Sequence, residues 1–116
     1  SMSNPLLEVS DLPAISRLCK TRKIKLVVDN TFTPMIITPA NYGADVVIHS
    51  VTKFINGMSD TVAGAVCGSH ELIHAMSDVN SGTAMLLGPV MDSMRAAAIL
   101  KNLHTLHVRM RKHSNN

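Results

Sequence analysis

The chain has 116 residues, 46% of them hydrophobic and 16% charged, a balance that supports a buried core and excludes intrinsic disorder. That length allows one domain at most, and no run approaches the roughly 18 apolar residues a membrane helix requires. The net charge is only +3, and with one Tyr, two Phe and no Trp the stacking platforms of single-strand binders are all but absent.

Asn4-Pro5 opens the sequence as a turn signal. Ser10 or Asp11 then offers an N-cap to a segment whose apolar residues Leu12, Ile15, Leu18 and Cys19 recur at helical spacing, which predicts a helix over 11–22 closed by the basic run Lys20 to Lys25. The short runs Ile24–Val28 and Ala44–Ile48 are rich in β-branched residues and read as buried strands. Between them, Pro34, Pro39 and Gly43 indicate an irregular crossover whose length suits parallel pairing.

A loop over 50–60 leads to Thr61–Gly68, a third strand of small residues on which something packs closely. A helix over 69–79, a Met-rich stretch to Pro89 and a final helix over 90–113 complete the chain. The last carries an apolar stripe at Ile99, Leu103, Leu106 and Met110. Its basic residues Arg109, Arg111 and Lys112 read as a solvated face rather than a phosphate-binding surface, so no nucleic acid and no membrane is expected as a partner.

Alternating strands and helices predict an α/β layer with a largely parallel sheet. Cys19 and Cys67 belong to no metal or redox spacing and read as small buried hydrophobes in a reducing compartment. The expectation is therefore a soluble, cytoplasmic protein. His70 and His74 stand four apart on a helix but lack a third ligand, so no metal site is expected.

In a parallel sheet, ligands bind beyond the carboxyl ends of the strands. The first two strands end in polar residues, Asp29-Asn30-Thr31 in one and His49-Ser50-Val51-Thr52-Lys53 in the other. If these strands are neighbours, an acid, two hydroxyls and a lysine face one crevice, which is what a cofactor with a cationic ring nitrogen, a phosphate and an aldehyde needs. Taken alone, Asp29 reads equally well as a strand-end turn residue, and Asn4, Ser50 and Thr52 read more readily as local caps.

Ser3-Asn4-Pro5, Val27-Val28-Asp29-Asn30-Thr31-Phe32, Gly43 to Ser50, Thr52-Lys53-Phe54-Ile55-Asn56-Gly57 and Ser59-Asp60 resemble, in order and spacing, the Cys/Met-metabolism enzymes that use pyridoxal phosphate (PLP). That family includes cystathionine γ-synthase, the cystathionine lyases and methionine γ-lyase. Ala63 to Gly68 and Met85 to Pro89 look most like the methionine γ-lyase branch, especially its plant-type members.

The resemblance implies part of the large PLP-binding domain of a fold-type I, aspartate aminotransferase-like enzyme. Residues 1–116 would then be a fragment, lacking the N-terminal arm, the first part of the large domain and the C-terminal domain. It implies that Lys53 holds the cofactor covalently and moves protons as acid and base, that Asp29 pairs with the pyridinium nitrogen, that Ser50 and Thr52 bind the phosphate, and that Asn4 contacts the ring's phenolic oxygen. The implied reaction is α,γ-elimination from methionine or a related sulfur amino acid, giving a thiol, ammonia and a 2-oxoacid, in a homo-oligomer that is tetrameric in full-length members. Cystathionine γ-synthase or lyase activity, and a non-catalytic truncated chain that docks onto full-length subunits, stand as alternatives. Met58 departs from the residues usual after this glycine, and Tyr42 matches none of the family's catalytic tyrosines.

Overall fold

The computed structural model describes residues 1–116. Its order is α1 (Leu12–Thr21), β1 (Val27–Asp29), a 3-10 turn (Pro39–Tyr42), β2 (Val46–Ser50), a π-helical turn (Val51–Ile55), β3 (Gly64–Gly68), α2 (His70–Met76), α3 (Thr83–Leu87), α4 (Ser93–Leu103) and α5 (Leu106–Ser114).

Helix α1 starts where the sequence predicts, because Asp11 Oδ1 accepts the Ala14 N–H at 2.9 Å and so satisfies one of the free donors of the first turn. Its buried face carries Leu12, which joins Leu26 and Val28 in a core that Cys19, Ile37 and Ala44 surround. The sheet order is β1-β2-β3. Strands β1 and β2 run parallel with Val27 beside Val46 and Asp29 beside Ile48.

Asp45 pins the entry to this pairing. Its Oδ2 accepts the Leu26 N–H at 2.8 Å and its Oδ1 accepts from Lys25 Nζ at 2.9 Å. The Leu26 N–H first, and then Lys25, hold the Asp45 carboxyl below its ordinary range. A one-residue slip would break both bonds and turn Val28 out of the core.

The sheet is mixed where the sequence suggests a largely parallel one: β3 runs antiparallel to β2, with Val46 beside Gly68 and Ser50 beside Gly64. No crossover helix separates them. After the π-turn, Gly57 (φ +75°) and Ser59 (φ +57°) both adopt left-handed backbone, and the chain reverses within a single loop. The terminal helix also divides in two. At the α4–α5 corner the His104 and Thr105 N–H groups reach back three residues to Lys101 and Asn102, and the Thr105 hydroxyl donates to the Asn102 carbonyl at 3.1 Å. A hydroxyl competing for helix carbonyls in this way bends the chain. Of the predicted stripe, Ile99, Leu106 and Met110 are buried, while Leu103 at the corner is 40% exposed. Cys67 is exposed on β3 rather than buried.

Only 15 of 116 residues are buried, so the core is small for this length. Leu86, Leu87, Val90 and Met94 are all at least 69% exposed.

Gly43 closes the 3-10 turn with φ +90°, and a Cβ there would collide with the Ser16 hydroxyl. Gly43→Ala is expected to destabilise the chain by about 1–3 kcal/mol, the cost of forced left-handed backbone at a crowded site. Urea unfolding followed by circular dichroism measures it.

Candidate functional site

Parallel pairing brings the polar ends of β1 and β2 to the same edge of the sheet. Beyond β1 the chain folds back around Asn30, which is only 2% exposed. Asn30 Nδ2 donates to the Thr33 and Ile37 carbonyls at 3.3 and 2.9 Å, and its Oδ1 accepts from Thr33 Oγ1 at 2.6 Å. A buried amide with both ends paired organises the loop at little cost.

Thr31 then ties the two strand ends together. Its Oγ1 accepts the Ser50 N–H at 2.8 Å, and its own N–H donates to Asp29 Oδ1 at 2.8 Å. The Thr31 hydroxyl in the first place, and its N–H after it, hold the Asp29 carboxyl below the ordinary aspartate range against an opposing effect of partial burial. Asp29 is thus an anion at neutral pH.

Past β2, Val51 and Asn56 are buried on either side of Lys53. The Asn56 N–H donates to the Val51 carbonyl at 2.9 Å and the Gly57 N–H to the Lys53 carbonyl at 2.8 Å. Lys53 itself breaks the helical pattern with φ −88° and ψ −118°. Thr52 is fastened to the start of β3: its hydroxyl donates to the Ala63 carbonyl at 3.1 Å and accepts the Ala63 N–H at 2.9 Å. The N-terminal segment folds into a small loop, with Met2 bridged antiparallel to Val9, that carries Asn4 towards the same place.

These elements enclose a cleft of about 890 Å³, whose lining includes Asn4, Thr31, Thr52, Lys53, Arg95 and Arg109. That is the size of a small-molecule site. Only 3 of its 14 lining residues are hydrophobic, so it suits a polar, charged ligand. Of the five residues singled out in the sequence, Asn4, Thr52 and Lys53 line the cleft. Asp29 and Ser50 do not line it; they stand at the adjoining strand ends and connect to it through Thr31. The donor set fits PLP: an anion, hydroxyls and a primary amine at one edge of the sheet. The Thr52 hydroxyl has its proton committed to Ala63, and would have to turn from that carbonyl to donate to a phosphate.

Two further residues shape the site, Thr31 and Arg109, the second of which the sequence places on a solvated face. Thr31 carries a signal that could have been used, since a residue two after an aspartate commonly closes a turn on its carboxylate. Arg109, from α5, had none. Its Nη1 donates to the Phe54 carbonyl and its Nη2 to that of Ile55 at 2.9 Å, capping the two residues that follow Lys53. His70 and His74 have ring centroids 6.0 Å apart, and no group of three or more His, Cys, Asp or Glu gathers anywhere in the chain. No helix is long and apolar enough to cross a membrane.

A family model described as Cys/Met metabolism PLP-dependent enzyme matches residues 1–116. Among curated relatives, the chain is similar to methionine gamma-lyase of Arabidopsis thaliana, at 48% identity over 98% of this chain and 26% of that protein. It is similar at 40% to cystathionine gamma-lyase of Dictyostelium discoideum, over 98% of this chain and 29% of that protein.

Among solved structures, apo CalE6, a methionine gamma lyase from Micromonospora echinospora, superposes with a TM-score of 0.82 at 33% identity, over 91% of this chain and 29% of that one. Cystathionine gamma synthase from Xanthomonas oryzae pv. oryzae gives 0.81 at 39% identity, over 91% and 27%. The chain spans between a quarter and three tenths of the length of these proteins, and its α/β arrangement is that of the fold-type I PLP enzymes. The chain belongs to the Cys/Met metabolism PLP-dependent enzymes, a family of lyases and synthases built around that cofactor.

Proposed function

We propose that residues 1–116 form the lysine-bearing part of the large cofactor domain of a carbon–sulfur lyase. Its substrate is methionine or a related sulfur amino acid, and its reaction an α,γ-elimination that yields a thiol, ammonia and a 2-oxoacid. The observation that carries this reading is the convergence of Lys53, Thr52 and Asn4 on one polar cleft, with the anionic Asp29 joined to its rim by Thr31. The methionine substrate leans on the 48% identity to the Arabidopsis methionine gamma-lyase.

In this scheme Lys53 would hold the cofactor, and its free amine would move the proton at the substrate α-carbon. Asp29, an anion at the adjoining strand end, would pair with the ring nitrogen and keep it protonated. The hydroxyls of Ser50 and Thr52 would hold the phosphate, that of Thr52 after turning from the Ala63 carbonyl, and Asn4 would contact the phenolic oxygen. PLP, when bound, supplies the electron sink for a carbanion.

The isolated 116-residue chain is not expected to turn over. Its three-stranded sheet leaves edges unpaired, and its exposed Leu86, Leu87, Val90 and Met94 match a surface covered by the remainder of the protein and by other subunits of a homo-oligomer.

Borohydride treatment of the PLP-loaded full-length protein is expected to fix the cofactor on Lys53. Lys53→Ala is expected to abolish both that label and thiol release from methionine, and a fully active Lys53→Ala enzyme would remove the assignment. Assays with methionine, cystathionine and an activated homoserine separate the lyase from the synthase, and 2-oxoacid release from cystathionine alone would favour a cystathionine lyase.

Thr31→Val removes the hydroxyl that does most to hold Asp29 ionised. The Asp29 titration, followed by carbon NMR of its carboxyl in the full-length protein, is expected to move up in pH. Because the folded value lies below the ordinary one, the stabilisation from this carboxylate is complete above the ordinary aspartate range and fades as pH falls through it. Thr31→Val is expected to reduce that acid-sensitive part.

A further inference from the structure

Lys53 lies between two fixed points of backbone. On its N-terminal side Thr52 is bound to Ala63 three times over, by its N–H and by both functions of its hydroxyl. On its C-terminal side the carbonyls of Phe54 and Ile55 are held by the two Nη atoms of Arg109. What remains free is Lys53's own side chain.

The arginine is seated rather than merely adjacent. Its Nε donates to Thr105 Oγ1 at 3.0 Å and its Nη2 also reaches the Asn102 carbonyl at 3.3 Å, so the α4–α5 corner fixes the fork. Gly57 makes room for it, since a Cβ there would run into Nη1. Beside it, Asn102 Nδ2 donates to Asn56 Oδ1 at 2.8 Å and Asn56 Nδ2 to Asp60 Oδ1 at 2.7 Å, with Asn56 wholly buried. Planar, two-pronged donation to two successive carbonyls is something a guanidinium can do and an ammonium cannot.

We propose that Arg109 is a positioning residue for Lys53: by gripping the two carbonyls after it, Arg109 fixes the turn that presents the Lys53 amine to the cleft. The proposal rests on the assignment of Lys53 as the residue that holds PLP.

The test uses the full-length protein in three forms, wild type, Arg109→Lys and Thr105→Val. Each is mixed with PLP and quenched with borohydride over time, and labelled Lys53 peptide is counted by mass spectrometry. Affinity for pyridoxamine phosphate, which has no aldehyde and cannot link to lysine, is measured alongside, together with the unfolding midpoint. Arg109→Lys is expected to slow labelling by roughly tenfold or more, the scale on which small misplacements of a reacting group are felt, while pyridoxamine phosphate still binds as in the wild type. Thr105→Val, which loosens one anchor of the fork, is expected to show a smaller slowing with an unchanged midpoint.

Labelling of Arg109→Lys at the wild-type rate overturns the proposal, as does a loss of pyridoxamine phosphate binding in proportion to labelling, which would make Arg109 a general support of the site. If Arg109→Lys does not fold, Thr105→Val decides, and wild-type labelling there overturns the proposal. Absence of label on Lys53 in the wild type is a different failure, because it removes the assignment of the lysine together with this inference.

Discussion

The parallel pairing of β1 with β2 is the constraint on which the rest depends. Reversing either strand would send Asp29 and the segment that carries Lys53 to opposite edges of the sheet, and no loop rearrangement of this length could reunite them. The pairing is pinned at both ends by polar side chains acting on backbone, Asp45 at the entrance and Thr31 at the exit. Hydrophobic burial at Val28 and Val47 supplies attraction between the strands and their neighbours without choosing a register as sharply. The chain thus separates cohesion, which is apolar, from alignment, which is polar.

What was legible in the sequence is what local chemistry decides. The Asp11 cap, the helix behind it, the β-branched strands and the polar strand ends depend on neighbours a few residues away, and the cap and helix appear where spacing and propensity put them. The two strands form too, but shifted towards the polar residues, as Val27–Asp29 and Val46–Ser50, and Ile24 and Val27, expected to be buried, are exposed. The direction of β3 was not legible, because a connection of this length can be a crossover or a return loop, and left-handed backbone at Ser59 leaves no compositional mark. The break between α4 and α5 was hidden for a similar reason: Thr105 is acceptable inside a helix, and its effect comes from how its hydroxyl is spent.

Arg109 illustrates the limit most clearly. In the sequence it belongs to a cluster of cations at the end of an amphipathic helix, where solvation is the ordinary explanation. In the fold, the α4–α5 corner returns it to a loop far upstream. Phe54 is fixed on its other side as well, with its ring between Phe32 at 5.6 Å and His113 at 5.1 Å. Contacts that join distant parts of a chain have no periodic signature, and here they pair carbonyls that are partly withdrawn from water.

The burial of Asn56 carries a chemical consequence. An asparagine followed by glycine is the pair most prone to lose its side-chain amide, because the bare glycine nitrogen can close onto the carboxamide. Here the carboxamide is locked between Asp60 and Asn102 and shut away from water, so the native fold shields the bond. Each excursion to the open chain lifts that shield, and conversion to an aspartate would set a second carboxylate against Asp60 in a closed space. Ageing of the polypeptide would then follow the fraction of molecules open at any moment, which the slow loss of the amide samples at equilibrium, and the damage would accumulate close to Lys53.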